Sequence, residues 1–144
     1  MSLPEPVPGL VIRHGFIWSH DVAEGRVTAS KARPCAIIVA AVAGEDGEIR
    51  VTVAPITHAP PTDQSIGGEI PRQIANKLGL DAGEHWIRYD ELNHFTWPGF
   101  DLERVPGRQE YFYGQLPDNF FITVRNKIVA TMRAKRVKGF VNRD

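Results

Sequence analysis

Short apolar runs, separated by glycine, proline and polar residues, predict more strands than helices along the chain. Residues 10–18 are rich in β-branched and aromatic side chains and predict a first strand. Residues 34–42 are continuously apolar, which predicts a strand buried on both faces. Turn chemistry at residues 44–47 and alternating apolar and polar positions over residues 49–56 complete the pattern of a β-hairpin.

The second half of the chain predicts further strands and two helices. We interpret residues 86–95 and 111–114 as strands and residues 71–78 as a short helix. Residues 19–32 and 58–68 are polar or rich in proline and are expected to be loops.

The last helix is expected to begin with Asp118 as its N-cap. Its apolar stripe consists of Phe120, Phe121, Val124, Ile128 and Met132. Because strands come first and a terminal helix packs on them, the expected fold is mainly β within the α+β class. It should be a small, strongly bent antiparallel sheet or barrel.

Length and composition narrow the class of protein. The 144 residues are expected to form one domain, 1–144, with a core over about 8–132 and a basic tail over 133–144. A hydrophobic fraction of 42% and a charged fraction of 24% exclude disordered and collagen-like chains. The longest apolar run, residues 35–43, is too short to span a bilayer, and the N-terminus lacks a signal-peptide pattern. We therefore expect a cytoplasmic protein with no membrane partner, in which Cys35 is a buried, inert thiol.

The charges balance overall but not along the chain. There are 17 basic and 17 acidic residues, yet residues 121–144 carry seven basic residues and one acidic residue. We interpret this basic segment as a solvated face of the terminal helix, within reach of an acidic segment of a partner. The net charge therefore does not decide whether the chain binds a polyanion.

The candidate chemistry lies at the open end of the predicted hairpin. The sequence contains no phosphate-binding glycine loop, nucleophile elbow or zinc-ligand spacing, and no metal or cofactor is expected. Arg33 precedes the first hairpin strand, and Thr57 and His58 follow the second, so these side chains should meet at one edge of the sheet. A guanidinium and a hydroxyl suit phosphate oxygens, and an imidazole can move a proton near neutral pH. The structural alternative is an arginine paired with a surface carboxylate, a turn-forming threonine and a solvated histidine.

Three segments resemble the MazF/PemK-type toxins. Residues 31–39 resemble their basic-x-Arg-Pro strand, residues 53–58 their Pro-Ile-Thr/Ser segment, and residues 8–11 their opening Pro-Gly-x-Val strand. The resemblance implies an SH3-like barrel of the CcdB/PemK type that works as a homodimer and is bound by a cognate antitoxin. It also implies sequence-specific cleavage of single-stranded RNA without a metal ion, by attack of the 2′-hydroxyl on the adjacent phosphate. The catalytic Arg and Thr of the family correspond to Arg33 and Thr57.

The chain departs from the family on the strand before the final helix. Where many members carry a Gln-x-Arg-Thr-x-Asp-like run, residues 90–95 read Asp-Glu-Leu-Asn-His-Phe, and Asn93 takes the place of the family's Arg. His94, His58 or His20 could replace the missing proton carrier, with His58 and His94 the two catalytic candidates. The two acids of the run could be proton carriers or dimer contacts.

RNA contacts are expected from aromatic and cationic side chains, because unpaired bases stack on exposed rings. The aromatic candidates are Trp18, Trp97 and Tyr113. Trp18 is preferred because it ends a strand beside the long loop, and its alternative is a position in the core. Lys31, His20 and Asn93 complete the predicted RNA contacts. Two other functions stay open. One is a catalytically inactive barrel that binds nucleic acid or protein, and the other is a structural or regulatory phage-type protein that uses the same fold.

Overall fold

The computed structural model describes residues 3–25 and 31–144. Within them lie eight strands, three α-helices and one 3-10 turn. The strands are β1 (Leu10–Gly15), β2 (Ala32–Ala43), β3 (Glu48–Thr57), β4 (Gly67–Glu69), β5 (Trp86–Arg88), β6 (Glu91–Thr96), β7 (Phe112–Gln115) and β8 (Gly139–Asn142). The helices are α1 (Ser19–Ala23), α2 (Arg72–Leu78) and α3 (Asp118–Arg133), and the 3-10 turn is Gln64–Ile66.

The strands form one open, largely antiparallel sheet in the order β4-β5-β3-β2-β1-β7. The long strand β3 has two partners on its outer side, because its end at Ile56 and Thr57 pairs with β5 and its first half pairs with β6. Strand β8 extends the β6 branch in parallel. The prediction of a mainly β fold in the α+β class is confirmed.

The predicted hairpin is confirmed as β2 and β3, with Cys35 opposite Pro55. Burial of β2 on both faces is confirmed only for residues 35–38, because Val39 is 50% exposed and Val42 is 72% exposed. Strand β1 pairs with β2 only as far as Ala36, so the part of the β2–β3 hairpin nearest its turn extends beyond β1.

Two apolar cores lie on the two faces of the sheet. One packs the sheet against α2 and α3 through Leu78, Val124 and Ile128. The other contains Phe95 and the buried Cys35 thiol, whose pKa is raised by burial. The expected inert thiol is therefore consistent with its surroundings, since a reactive cysteine needs an exposed, electropositive setting.

The final helix differs from its prediction at both ends. Pro117 occupies the N-cap position and Asp118 is the first helical residue, so Asp118 does not cap the helix. At the other end Met132 is 49% exposed and Thr131 is buried instead. The Thr131 hydroxyl donates to the Lys127 carbonyl (2.8 Å), which satisfies this polar group inside the packed face.

Non-local pairing accounts for the other differences. Residues 86–95 form two strands, β5 and β6, rather than one. The predicted loop over 19–32 begins with the helix α1, and residues 26–30 of that loop lie outside the described part of the chain. The short helix is confirmed as α2, which ends at Gly79 in the left-handed conformation (φ 69°).

The basic segment 121–144 is a solvated helix face only in part. Arg125, Lys127 and Arg133 are exposed on α3, but the helix stops at Arg133, and β8 aligns Gly139 with Glu91 on β6. A β-carbon on Gly139 would come within 2.8 Å of a Glu91 carboxylate oxygen and 2.9 Å of the Ser19 β-carbon. Only glycine therefore allows the tail to approach the sheet this closely. Among the described residues, no helix has the length and apolar character needed to cross a membrane.

Candidate functional site

Arg33 and Thr57 lie at the open end of the β2–β3 hairpin. The paired register ends with Cys35 opposite Pro55, and continuing it by two residues places Arg33 across from Thr57. Both residues line two adjoining cavities, one of about 540 Å³ and one of about 500 Å³. We call the first the histidine cavity, because His58 and His85 line it, and the second the tryptophan cavity, because Trp18 lines it.

Arg33 is half-buried and has no carboxylate partner among residues 3–25 and 31–144. Its guanidinium lies 5.1 Å from the centre of the Trp18 ring, and its buried Nε lacks a hydrogen-bond partner in the described chain. Burial lowers the pKa of Arg33, and the nearby Cys35 and Asp21 partly oppose this. An arginine held on an aromatic face without an anionic partner is suited to bind an anion.

Thr57 keeps a hydroxyl proton available toward the cavities. Its oxygen accepts a hydrogen bond from the Ala59 amide (3.2 Å), as the structural alternative of a turn-forming threonine expects. Because a hydroxyl can accept and donate at once, the proton can be given to a phosphate oxygen.

His58 belongs to a cluster that includes Asp81 and His85. The Nδ1 atom of His58 donates to the Glu84 carbonyl (2.9 Å), and its Nε2 lies 3.0 Å from Oδ1 of Asp81. The same oxygen lies 3.0 Å from Nε2 of His85, and these contacts hold the pKa of Asp81 below its ordinary value, His85 contributing most. His58 is half exposed, whereas His85 is only 3% exposed.

Strand pairing brings this cluster together. Thr57 pairs with Trp86 across β3 and β5, so the residue after Thr57 faces the residue before Trp86. Asp81 and His85 are absent from the residues predicted for the site, because no local spacing connects residue 58 with residues 81 and 85. The one local signal is Gly79, which ends α2 and turns the chain back toward β5.

The other predicted RNA contacts of the site lie on both sides of Arg33. Lys31 is exposed at the histidine cavity. Trp18 is half-buried in the tryptophan cavity, where Arg88 also lies over its ring (5.7 Å). His20 lies on the rim of the same cavity with its side chain 69% exposed.

Asn93 and His94 lie outside the two cavities. Asn93 has no exposed surface, and its amide accepts from the Ile17 N–H (3.0 Å) and donates to the Ile17 carbonyl (2.8 Å). Asn93 therefore links two segments of backbone, and its predicted RNA contact has no support in this structure. His94 pairs with Thr52 across β3 and β6, about 17 Å along the strand from Thr57.

The surroundings of His94 suit a structural role. Its ring stacks on Phe140 (4.3 Å between centres), and its Nδ1 lies 2.6 Å from the Arg50 guanidinium. Burial, and then the charge of Arg50, lower the pKa of His94. Of the two histidines predicted as catalytic, only His58 lines a cavity with Arg33.

Asp90 and Glu91, the two acidic residues that precede Asn93, hold other residues in place. Asp90 is fully buried and binds Arg88 through two hydrogen bonds of 2.9 Å. Glu91 accepts from the Ser19 amide (2.9 Å) and hydroxyl (2.6 Å), which ties α1 to the sheet. Both carboxylates are therefore engaged within the chain, which is unlike a proton carrier open to substrate.

The two cavities together form a basic groove in a chain of zero net charge. The basic residues along it are Arg13, Lys31, Arg33, Arg88 and Lys138, and the acidic ones are Asp81 and Glu91. The five basic side chains outnumber the two acidic ones even after Asp90 neutralises Arg88, so the groove carries the local positive potential that a polyanion requires.

In comparisons with protein-family models and with curated proteins, the chain matches none of them.

Proposed function

We propose that the chain is a metal-independent, sequence-specific endoribonuclease toxin that cuts single-stranded RNA in the groove. The observation that carries this proposal is an arginine without an ion-pair partner in the described chain, Arg33, beside a hydroxyl donor and between two histidines. These are the groups that a phosphate in the act of transfer needs. The segments that resemble MazF/PemK-type toxins, residues 31–39 and 53–58, supply this same arginine and threonine.

The proposed reaction is an internal transesterification. The 2′-oxygen of one ribose forms a bond to the adjacent phosphorus while the bond from phosphorus to the 5′-oxygen breaks. The guanidinium of Arg33 stabilises the added negative charge, and Thr57 donates to a phosphate oxygen. The products are a 2′,3′-cyclic phosphate and a free 5′-hydroxyl.

Two proton transfers balance the proposed reaction. His20 and His58 line different cavities that share Arg33 and Thr57 as their common wall, so the two imidazoles flank the phosphate position. We assign His20 as the base that takes the 2′-hydroxyl proton and His58 as the acid that protonates the 5′-oxygen. Asp81 and the Glu84 carbonyl orient the His58 ring.

The half-exposed ring of Trp18 and the ammonium of Lys31 are proposed to hold the neighbouring nucleotides by stacking and by phosphate contact. We further propose the SH3-like barrel of the CcdB/PemK type, a homodimer and control by a cognate antitoxin. The exposed apolar side chains of Val39, Val42 and Phe140 offer surface for such partners.

A second candidate function is RNA or protein binding without cleavage. It is favoured by Asn93, which stands where the family carries an active-site arginine and is committed to the Ile17 backbone. On this alternative the groove binds single-stranded RNA, and Arg33 and Thr57 contribute affinity only.

The test uses protein purified free of any bound partner, a mixed single-stranded RNA pool and excess EDTA. We expect fragments that end in 2′,3′-cyclic phosphate and begin with 5′-hydroxyl, and we expect Thr57→Val to slow cleavage about 10- to 100-fold. Arg125→Ala on the exposed side of α3 is the matched control and should cleave like wild type. RNA that is bound but stays intact would favour the binding function, and RNA that is neither bound nor cut would contradict both.

A further inference from the structure

We propose that His58, Asp81 and His85 form a binding site for a divalent transition-metal ion of the Zn²⁺ class. One potential ligand atom from each residue, a ring nitrogen or carboxylate oxygen, lies within 4.8 Å of the other two. Both histidine Nε2 atoms lie 3.0 Å from Oδ1 of Asp81. A tetrahedral ion about 2.0–2.1 Å from its nitrogen and oxygen ligands keeps those ligands about 3.3 Å apart. Small shifts of the side chains therefore suffice to admit the ion.

The hydrogen bond on the far side of His58 sets the ring for metal binding. A carbonyl oxygen can only accept, so Nδ1 of His58 carries a proton toward Glu84 (2.9 Å). In the neutral ring, Nε2 therefore presents its lone pair toward Asp81. Metal-binding histidines are commonly oriented in this way, with the second nitrogen donating to a backbone carbonyl.

A cation between the three side chains also explains why they converge. Without one, the lone pair of a neutral His58 faces the negative carboxylate of Asp81, and the same oxygen serves His85 as well. A divalent ion bound to both atoms would replace this unfavourable contact between His58 and Asp81 by two attractive ones, and Nε2 of His85 would supply the third ligand. Two imidazoles and one carboxylate favour Zn²⁺, Co²⁺ or Ni²⁺ over Mg²⁺ or Ca²⁺, which prefer sites made of oxygen ligands.

The site is rigid on one side and accessible on the other. His85 is 3% exposed, whereas the side chains of His58 and Asp81 are 50% and 78% exposed. The cluster lines the histidine cavity together with Arg33 and Thr57. An ion held by three protein ligands keeps a coordination position for water or for a phosphate oxygen on the cavity side.

Metal binding has a consequence that rests on the proposed function. An ion on Nε2 of His58 occupies the atom that we assign to proton transfer, so the bound ion should inhibit RNA cleavage and EDTA should restore it. The binding site itself does not depend on that assignment and is measured without RNA.

The test is calorimetric titration of the full, chelator-dialysed chain with Zn²⁺, supported by the visible absorption of the Co²⁺ form. We expect one Zn²⁺ per chain with a Kd of about 1 μM or tighter and an intense tetrahedral Co²⁺ spectrum. His58→Ala and Asp81→Asn, both at exposed side chains, should each weaken binding at least about 100-fold. His20→Ala is the matched control, an exposed histidine beside a carboxylate outside the cluster (3.5 Å to Asp21), and should bind like wild type.

Two results would overturn the metal site. The first is no Zn²⁺ binding by the folded wild-type chain at about 100 μM ion. The second is binding that persists unchanged in both His58→Ala and Asp81→Asn. Cleavage of RNA in EDTA by a chain that binds no Zn²⁺ would reject the metal site and keep the proposed function. Zn²⁺ binding by a chain that never cuts RNA would keep the metal site and reject the proposed function.

Discussion

Burial of His14 should make the protein sensitive to mild acid. The side chain is 1% exposed on β1 and stacks on Phe95 with 4.6 Å between ring centres. Burial lowers its pKa from 6.5 to about 4, although the charge of Asp101 acts in the opposite direction and that of Arg143 adds to the lowering. The folded ring therefore stays neutral over a pH range in which the unfolded chain binds a proton.

The sign and size of the effect follow from proton linkage. Between pH 6.5 and pH 4 the unfolded state binds more protons at this position, so the free energy of unfolding falls as the pH falls. The stability contribution of the buried, neutral His14 is present in full above pH 6.5. The loss reaches about 2 kcal/mol at pH 5 and about 3 kcal/mol at pH 4, relative to pH 7.

The assay compares wild type with His14→Leu, which fills similar volume without a titrating group. Urea unfolding followed by tryptophan fluorescence at pH 7, 6, 5 and 4 gives both free energies. Other groups titrate in both proteins and cancel in the difference. We expect wild type to lose about 3 kcal/mol more than His14→Leu between pH 7 and pH 4. Parallel stability curves for the two proteins would refute this reasoning.

Three further predictions test the tail and the groove. Gly139→Ala should destabilise the fold by about 1–3 kcal/mol, measured by urea unfolding, because its β-carbon overlaps the Glu91–Ser19 contact. Asp90→Asn should cost about 3 kcal/mol in the same measurement, because it leaves a half-buried Arg88 without its carboxylate. Lys135→Glu combined with Arg136→Glu should lower the RNA cleavage rate only about two- to fivefold, through weaker long-range attraction.

Each of these predictions has a clear contrary result. Unchanged stability of Gly139→Ala would contradict the close approach of residue 139 to Glu91 and Ser19. An unchanged stability of Asp90→Asn would remove the buried ion pair from the account. Complete loss of cleavage in the tail variant would place the tail in the RNA site itself.

Sequence reasoning succeeded where the structure is local. The β2–β3 hairpin rests on a turn and an alternating pattern, and its register, continued two residues beyond Cys35 and Pro55, places Arg33 across from Thr57. The helix α2 likewise follows from a proline before it and Gly79 after it. These features depend on neighbouring residues, which a single sequence contains.

Non-local pairing hid the rest of the site. His85 reaches His58 only because β5 pairs with the end of β3, and 27 positions separate the two histidines in the sequence. Strand β8 has only four residues, Gly139–Asn142, and its parallel partner β6 lies far away along the chain. Asn93 is polar but fully buried, and its amide exchanges two hydrogen bonds with the Ile17 backbone. Burial and pairing of this kind are set by the whole fold.

The central claim is that Arg33 stabilises the transferring phosphate. The most direct measurement is the rate of single-stranded RNA cleavage in EDTA by wild type, Arg33→Ala and the surface control Arg125→Ala, with folding of each checked by urea unfolding. We predict that Arg33→Ala is slower by about 10²- to 10³-fold, while Arg125→Ala matches wild type. Equal rates for Arg33→Ala and wild type, or intact RNA with folded, partner-free wild type, would contradict the claim.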